Sequence, residues 1–461
     1  MNSITYDLPP ADAIETDVVI IGAGACGLTA GLRANLAGRE VLVLERDHSP
    51  SGSTAMSSGF VPAPDTRFQH GIGVTDDTKE RFYQDLMAKS HDDADPDLTR
   101  LASEQIGPAL EWLAEHAGIE WQVLDDFLYP GHSRHRMHAV PEKTGEALES
   151  RLCAAIARAD IPLLTDAHAT VLYLTENKMV RAVGATRPGG ELDVIKCQSV
   201  VLACNGYGAN PALLKTHIPE IADGLYYGHP GNTGDAVVWG QALGASLQHL
   251  SGYQGHGSLA SPHQILISWA LMMEGGIQIN NRGERFSNEH GGYSEQATQV
   301  LAQPDGIAWN VYDQRIHDFA QSFPDYQQAM AVGAIRNAKD ITALAEITKT
   351  PSKRLVKTLD TITVCQEGKK SDEFSRDFTS KPALTAPYYA VKVTGALFHT
   401  QGGLKIDEQT RVLDENGRSF PNLYAGGGAA CGVSGPRVDG YLSGNGLLTA
   451  IAFGYVAGGY C

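Results

Sequence analysis

The chain alternates short, wholly apolar runs with glycine-rich turns. The pattern is clearest between Asp17 and Arg46, "DVVIIGAGACGLTAGLRANLAGREVLVLER". Four consecutive apolar residues, Val18 to Ile21, predict a strand buried on both faces. A glycine turn follows, then small and apolar residues at helical spacing, then a second apolar run that ends at Glu45. The strand-then-glycine arrangement returns in "SVVLACNGYGANP" at 199–211 and in "NLYAGGGAACG" at 422–432. Strands that alternate with helical segments predict an α/β fold around a parallel sheet.

The first turn carries chemistry. In G-x-G-x-x-G, Gly22 makes the tight turn, Gly24 lets backbone approach a pyrophosphate, and Gly27 lets helix and strand pack closely. Ala25 and Cys26 place their N–H groups at the helix start, where an anion is favoured. Glu45 can accept hydrogen bonds from an adenosine ribose, and Arg46 follows it. The fingerprint serves NAD and FAD alike. "SGSTAMSSGF" (51–60) then offers Ser53, Thr54, Ser58 and Gly59; the second strand turn offers Ala203, Asn205 and Gly206, and the third Gly427. A chain that leaves a dinucleotide domain and returns to it at its end is laid out like a flavoprotein, so FAD is the expected cofactor.

Composition narrows the class. The 461 residues exceed one ordinary core and predict two domains or one domain with a large insertion. A net charge of −17 argues against nucleic acid and anionic membrane surfaces. No apolar run approaches the roughly 18 residues of a membrane span. The N-terminus lacks a basic and an apolar signal region, and the seven cysteines follow no pairing pattern, which predicts reduced thiols and a cytoplasmic location. His132, His135 and His138 in "GHSRHRMH" have no cysteine or carboxylate close by in sequence. They read as a cationic loop, and no metal is assigned.

Across most of its length the chain resembles the fumarate reductase/succinate dehydrogenase flavoprotein superfamily, which includes 3-ketosteroid dehydrogenases. "NTGDAVVWGQALGA" (232–245) resembles its T-G-D-G segment, which adds Asp235 to the cofactor contacts. "PYYAVKVTGALFHTQGGLKID" (387–407) resembles the strand before its T-x-G-G turn, and "NRGERFSNE" (281–289) its substrate-cap hairpin. The resemblance implies a Rossmann-like FAD-binding domain formed by 1–255 and 385–461, with an inserted α+β substrate-cap domain at 256–384. Members with covalent flavin carry a histidine where Ser53 stands, which implies noncovalent FAD. Gly446 and Leu447, at the start of the last helix, complete the implied cofactor contacts.

Dicarboxylate-handling members place arginines at two motif positions, a use suited to their bidentate fork. Here Tyr293 holds the first position and Tyr441, in "GYLSGNG" (440–446), the second. The resemblance is closest to the ketosteroid dehydrogenases, and related enzymes acting on cyclohexanone-type rings are equally compatible. It implies FAD-dependent α,β-desaturation of a cyclic ketone, 3-ketosteroid Δ4-type or cyclohexanone-type, with α-proton abstraction and β-hydride transfer to flavin N5. Tyr441, with a backbone N–H of Gly444 or Gly446, is the expected oxyanion hole. Tyr293 is the expected base, directly or through Ser443. His399 stands where carboxylate-binding members have a substrate histidine, and either lines the pocket or packs beside the flavin. The competing expectation is a carboxylate enzyme, fumarate-reductase-like or similar to tricarballylate dehydrogenases, with Arg134, Arg136 or Arg285 as the anion clamp. The electron acceptor is unknown at this level.

Overall fold

A computed structural model describes residues 3–461 and divides into two compact units. Unit one comprises Met1–Ile218, Gly228–Tyr253 and His399–Cys461; unit two comprises Pro219–Tyr227 and Gln254–Phe398.

Unit one is built on a six-stranded sheet. Its elements are β1 (Val18–Ile21), α1 (Ala25–Leu36), β2 (Val41–Leu44), α2 (Gly145–Arg158), β3 (Leu163–Leu164), β4 (Ser199–Leu202), β5 (Arg411–Leu413), β6 (Ser419–Ala425) and α3 (Asn445–Tyr460). The strand order is β5-β6-β4-β1-β2-β3, parallel throughout except for β5 against β6. β1 is central and all four of its residues are buried, as the unbroken apolar run requires. Its partners are Ser199–Leu202 on one side and Val41–Leu44 on the other, so segments far apart in sequence meet at the turn after β1.

α3 lies against α1 through small residues. A Cβ on Gly454 would collide with the carbonyl oxygen of Cys26, and one on Gly458 with that of Ala30. This close fit fixes the start of α3 beside the glycine turn. Unit one also contains a five-stranded sheet, which includes His168–Leu174 and Val180–Thr186, and two smaller sheets.

Unit two is organised around a mostly antiparallel sheet. The long strand Tyr388–Thr400 pairs antiparallel with Ile307–Asp313, which in turn pairs with Ile277–Ile279. Ile277, Ile279, Val311, Leu344 and Leu355 form part of its core. Among the described residues, no helix is long and apolar enough to cross a membrane. All seven cysteines are free thiols.

Candidate flavin and substrate site

The turn after β1 forms a cradle in unit one. Gly22 has φ +109°, and a Cβ there would collide with the carbonyl of Ala203 at the end of β4. A Cβ on Gly27 would collide with the carbonyl of Gly22. α1 starts at Gly24 with no side-chain cap, which leaves first-turn N–H groups available to an anion. The Ala25 N–H is the exception, taken by Thr54 Oγ1 at 2.9 Å. The Glu45 carboxylate is positioned by the N–H groups of Ala23 and Asp47, each at 3.0 Å. An uncapped helix start with an oriented acid about one strand away fits the pyrophosphate and ribose of FAD.

The hydroxyl-rich stretch folds around this cradle. Ser53 Oγ accepts from Asn205 at 2.7 Å and from Asn232 at 3.1 Å. Asn205 adopts φ +63° and its Oδ1 accepts from the Gly206 N–H at 2.8 Å. Gly59 has φ +72° and abuts the Thr144 backbone before α2. Ser58 is exposed; Ser57 ties the turn instead, donating to the Thr54 carbonyl and accepting from the Gly59 N–H. Asp235 faces Arg46, whose Nη2 donates to its carboxylate at 2.8 Å, and Thr233 Oγ1 donates to the same group. Cys26 is buried against Gly426 and Gly427, and burial pushes its thiol up to about 12, so it acts as a packing residue. Glu149 on α2 is 3% exposed, and its Oε1 has no hydrogen-bond partner among the described residues. Burial, with the charge of Glu45 adding to it, pushes this acid up to about 8.

The stretch "GYLSGNG" runs into α3. Gly444 has φ +90° and caps the helix, and a Cβ there would stand 2.5 Å from Pro62. Tyr441 is 6% exposed and Ser443 5%. The His399 ring meets Tyr441 edge to face, with centroids 5.5 Å apart. Its Cε1–Nε2 edge sits over Gly446, where a built Cβ would be 3.1 Å away. Unit one thus brings Tyr441, His399 and the uncapped start of α3 together. Sequence reasoning joins Tyr441 to Gly444 or Gly446 but leaves the place of His399 open.

The histidine-rich loop corrects an expectation. Neither His132 nor His138 contributes positive charge to it. His132 Nε2 donates to the Ser443 carbonyl at 3.0 Å, and burial lowers this ring to about 3. His138 donates from Nδ1 to the Arg136 carbonyl, accepts from the Thr66 hydroxyl, and is lowered by burial to about 4. Both rings are neutral buttresses. Arg136 is buried and paired with Asp77 (2.6 Å) and Asp85 (2.5 Å), while Arg134 pairs with Asp76 at 2.6 Å. The loop therefore braces the Tyr441 turn from behind.

Tyr293 belongs to unit two, where its ring stacks on His256 at 4.9 Å. His256 stacks in turn on Phe398 at 5.3 Å and meets Trp269 edge-on. The Ser258 N–H donates to His256 Nδ1, which leaves the proton on Nε2; burial lowers the ring to about 3. His256 carried no motif in the sequence. Arg285, the third candidate clamp, is held by Glu289 at 2.7 Å and Asp372 at 2.6 Å. Burial by itself would raise Glu289, but Arg285 and Arg376 outweigh it and hold the carboxylate at about 2.

Residues 17–447 match the family model described as FAD binding domain. The chain belongs to this FAD-binding family of fumarate reductase and succinate dehydrogenase flavoproteins. It is a flavoprotein oxidoreductase of the fumarate reductase family. It is 28% identical over 446 residues to an NADH:fumarate oxidoreductase of Klebsiella pneumoniae, covering 96% of this chain but 47% of that protein, so it spans about half that relative's length. A flavocytochrome c3 fumarate reductase in its open conformation superposes with a TM-score of 0.83 at 26% identity, covering 97% of this chain and 78% of the other. A 3-ketosteroid-Δ4-(5α)-dehydrogenase from Rhodococcus jostii, in complex with 4-androstene-3,17-dione, superposes with a TM-score of 0.80 at 22% identity; 100% of this chain and 99% of that one are covered, a likeness of fold.

Proposed function

We propose that this flavoprotein is a dehydrogenase that desaturates a cyclic ketone between its α and β carbons. The observation that carries the reading is the state of the arginines. Tyrosines occupy the two motif positions where carboxylate-binding relatives carry arginine, and Arg134, Arg136 and Arg285 are each already paired with carboxylates. A second anionic partner would have to displace the first. A neutral carbonyl needs only donors, and Tyr441 beside His399 and the start of α3 offers them.

In this reading the Tyr441 hydroxyl holds the carbonyl oxygen, assisted by a first-turn N–H of α3. Negative charge developing on that oxygen acidifies the α C–H. Tyr293 takes the α-proton, directly or through Ser443. Bound FAD would supply the hydride acceptor for the β C–H. Ser53 offers a hydroxyl already engaged by two asparagines, and FAD is held without a covalent bond. Unit two serves as the substrate cap.

The second reading is a carboxylate enzyme, and the fumarate-acting relative favours it. Anaerobic titration separates the two. Cyclohexanone or a saturated 3-ketosteroid should bleach the oxidised flavin of the purified protein, whereas succinate and tricarballylate should leave it yellow. Bleaching by succinate alone would establish the carboxylate reading.

A further inference from the structure

Behind His399, unit one holds a chain of neutral polar side chains drawn from three separate segments. The Asn445 amide donates to Ser434 Oγ at 2.9 Å. Ser434 Oγ, having accepted that bond, donates its own proton to Gln401 Oε1 at 2.7 Å. The Gln401 amide nitrogen then donates to His399 Nδ1 at 3.0 Å. Ser434 and Asn445 are buried to 1% and 0% exposure, and Gln401 to 5%, so water does not interrupt the sequence of bonds. We propose that Gln401, Ser434 and Asn445 are positioning residues that hold His399 as a neutral imidazole with its proton on Nε2, and so make it a second hydrogen-bond donor to the substrate carbonyl beside Tyr441.

Each link dictates the next. A serine hydroxyl has one proton, so once it accepts from Asn445 it gives that proton to its other partner among the described residues, the Gln401 oxygen. The glutamine is then forced to present its NH2 group to His399, and an imidazole nitrogen that accepts a hydrogen bond carries no proton. A longer contact, 3.4 Å from Nδ1 to the Thr400 carbonyl, would suit the opposite tautomer, but the 3.0 Å bond from Gln401 prevails. Reversing the whole chain would leave the buried Asn445 NH2 without a partner. The forward direction, from Asn445 to His399, leaves Asn445 Oδ1 unpartnered instead, and unpaired buried acceptors are better tolerated than unpaired donors. Burial lowers His399 to about 4 and keeps the ring neutral. Nε2 lies on the edge that faces Gly446 at the start of α3, and it makes no hydrogen bond to another described residue. A neutral donor there suits a ketone oxygen and gives no fixed charge to a carboxylate.

The inference rests on the ketone reading for its ligand, but the tautomer can be measured without one. In the FAD-loaded protein with ring-15N histidine, the His399 signals are those lost in His399→Gln. Nδ1 should appear unprotonated and Nε2 protonated. Gln401→Glu, whose carboxylate can only accept, should move the proton to Nδ1; Gln401→Met and Ser434→Ala should each give a mixture. Binding of 2-cyclohexenone, followed by the flavin absorbance, should weaken roughly tenfold in Gln401→Glu, the scale of one lost hydrogen bond. A wild-type protein with the proton on Nδ1 overturns the inference. So does an unchanged pattern in Gln401→Glu that retains FAD and its melting temperature. If the tautomer behaves as stated while no ketone bleaches or perturbs the flavin, the relay stands and the ketone reading fails.

Discussion

Tyr441 is the residue on which the functional reading turns. It is buried, its ring meets His399, and its turn leads directly into α3. Tyr441→Phe keeps the ring and its packing and removes one hydroxyl. Flavin content and fold should be retained, while kcat for ketone-dependent flavin reduction falls by roughly 10²-fold or more, the scale of one oxyanion donor. Full activity in the variant would make Tyr441 a packing residue. Tyr293→Phe should also slow flavin reduction and enlarge the isotope effect with α-deuterated ketone, because in the proposed mechanism Tyr293 takes the α-proton. His256 brings no positive charge to Tyr293, since burial keeps that ring neutral. The tyrosines and His399 were legible as motif positions. Gln401, Ser434 and Asn445 were not, because an amide and a hydroxyl carry no spacing signal and their partners lie 11 and 33 residues apart.

At the scale of elements, the turn before α3 owes its position to a loop that pattern reading misjudged. Three histidines and two arginines within eight residues look like exposed positive charge. In the fold, buried Asp77 and half-buried Asp85 neutralise an Arg136 side chain that is shielded from water, and His132 reaches from there to the Ser443 carbonyl. The acids lie 59 and 51 residues away, beyond the reach of any local pattern. Arg136→Met should leave two acids without their cation and cost roughly 3–5 kcal/mol, the typical loss when one partner of a buried pair is removed. Urea unfolding of the FAD-loaded protein measures it. A loss below about 1 kcal/mol would place the pair among the weak ones found at surfaces. The first strand-turn-helix, by contrast, was readable in full. Its apolar run and glycines are local requirements, and the collisions at Gly22 and Gly27 show why no other residue fits.

For the molecule as a whole, the sequence announced a parallel sheet that the chain leaves and rejoins, and the strand order bears this out, with β4 beside β1 and β6 beside β4. What pattern could not announce was the electrostatic state of the interior. Glu149 is an example, a charged residue type in an otherwise ordinary amphipathic helix. Its consequence is that folding takes up a proton. The acid ordinarily titrates near 4.5, and in the folded protein near 8. Between those values the unfolded chain has lost a proton that the native one keeps. The acid's contribution to stability is therefore fully present below pH 4.5 and drains away as pH rises through about 8, at up to about 1.4 kcal/mol per pH unit. Acidification in that window should tighten the fold at this site, against the general trend for paired carboxylates. Melting temperatures measured across the window should fall with rising pH more steeply in the wild type than in Glu149→Gln, and parallel curves would mean that the acid is ionised in the native state. Refolding at neutral pH should likewise show an enthalpy that changes with the ionisation heat of the buffer, since the buffer must surrender the proton that Glu149 acquires.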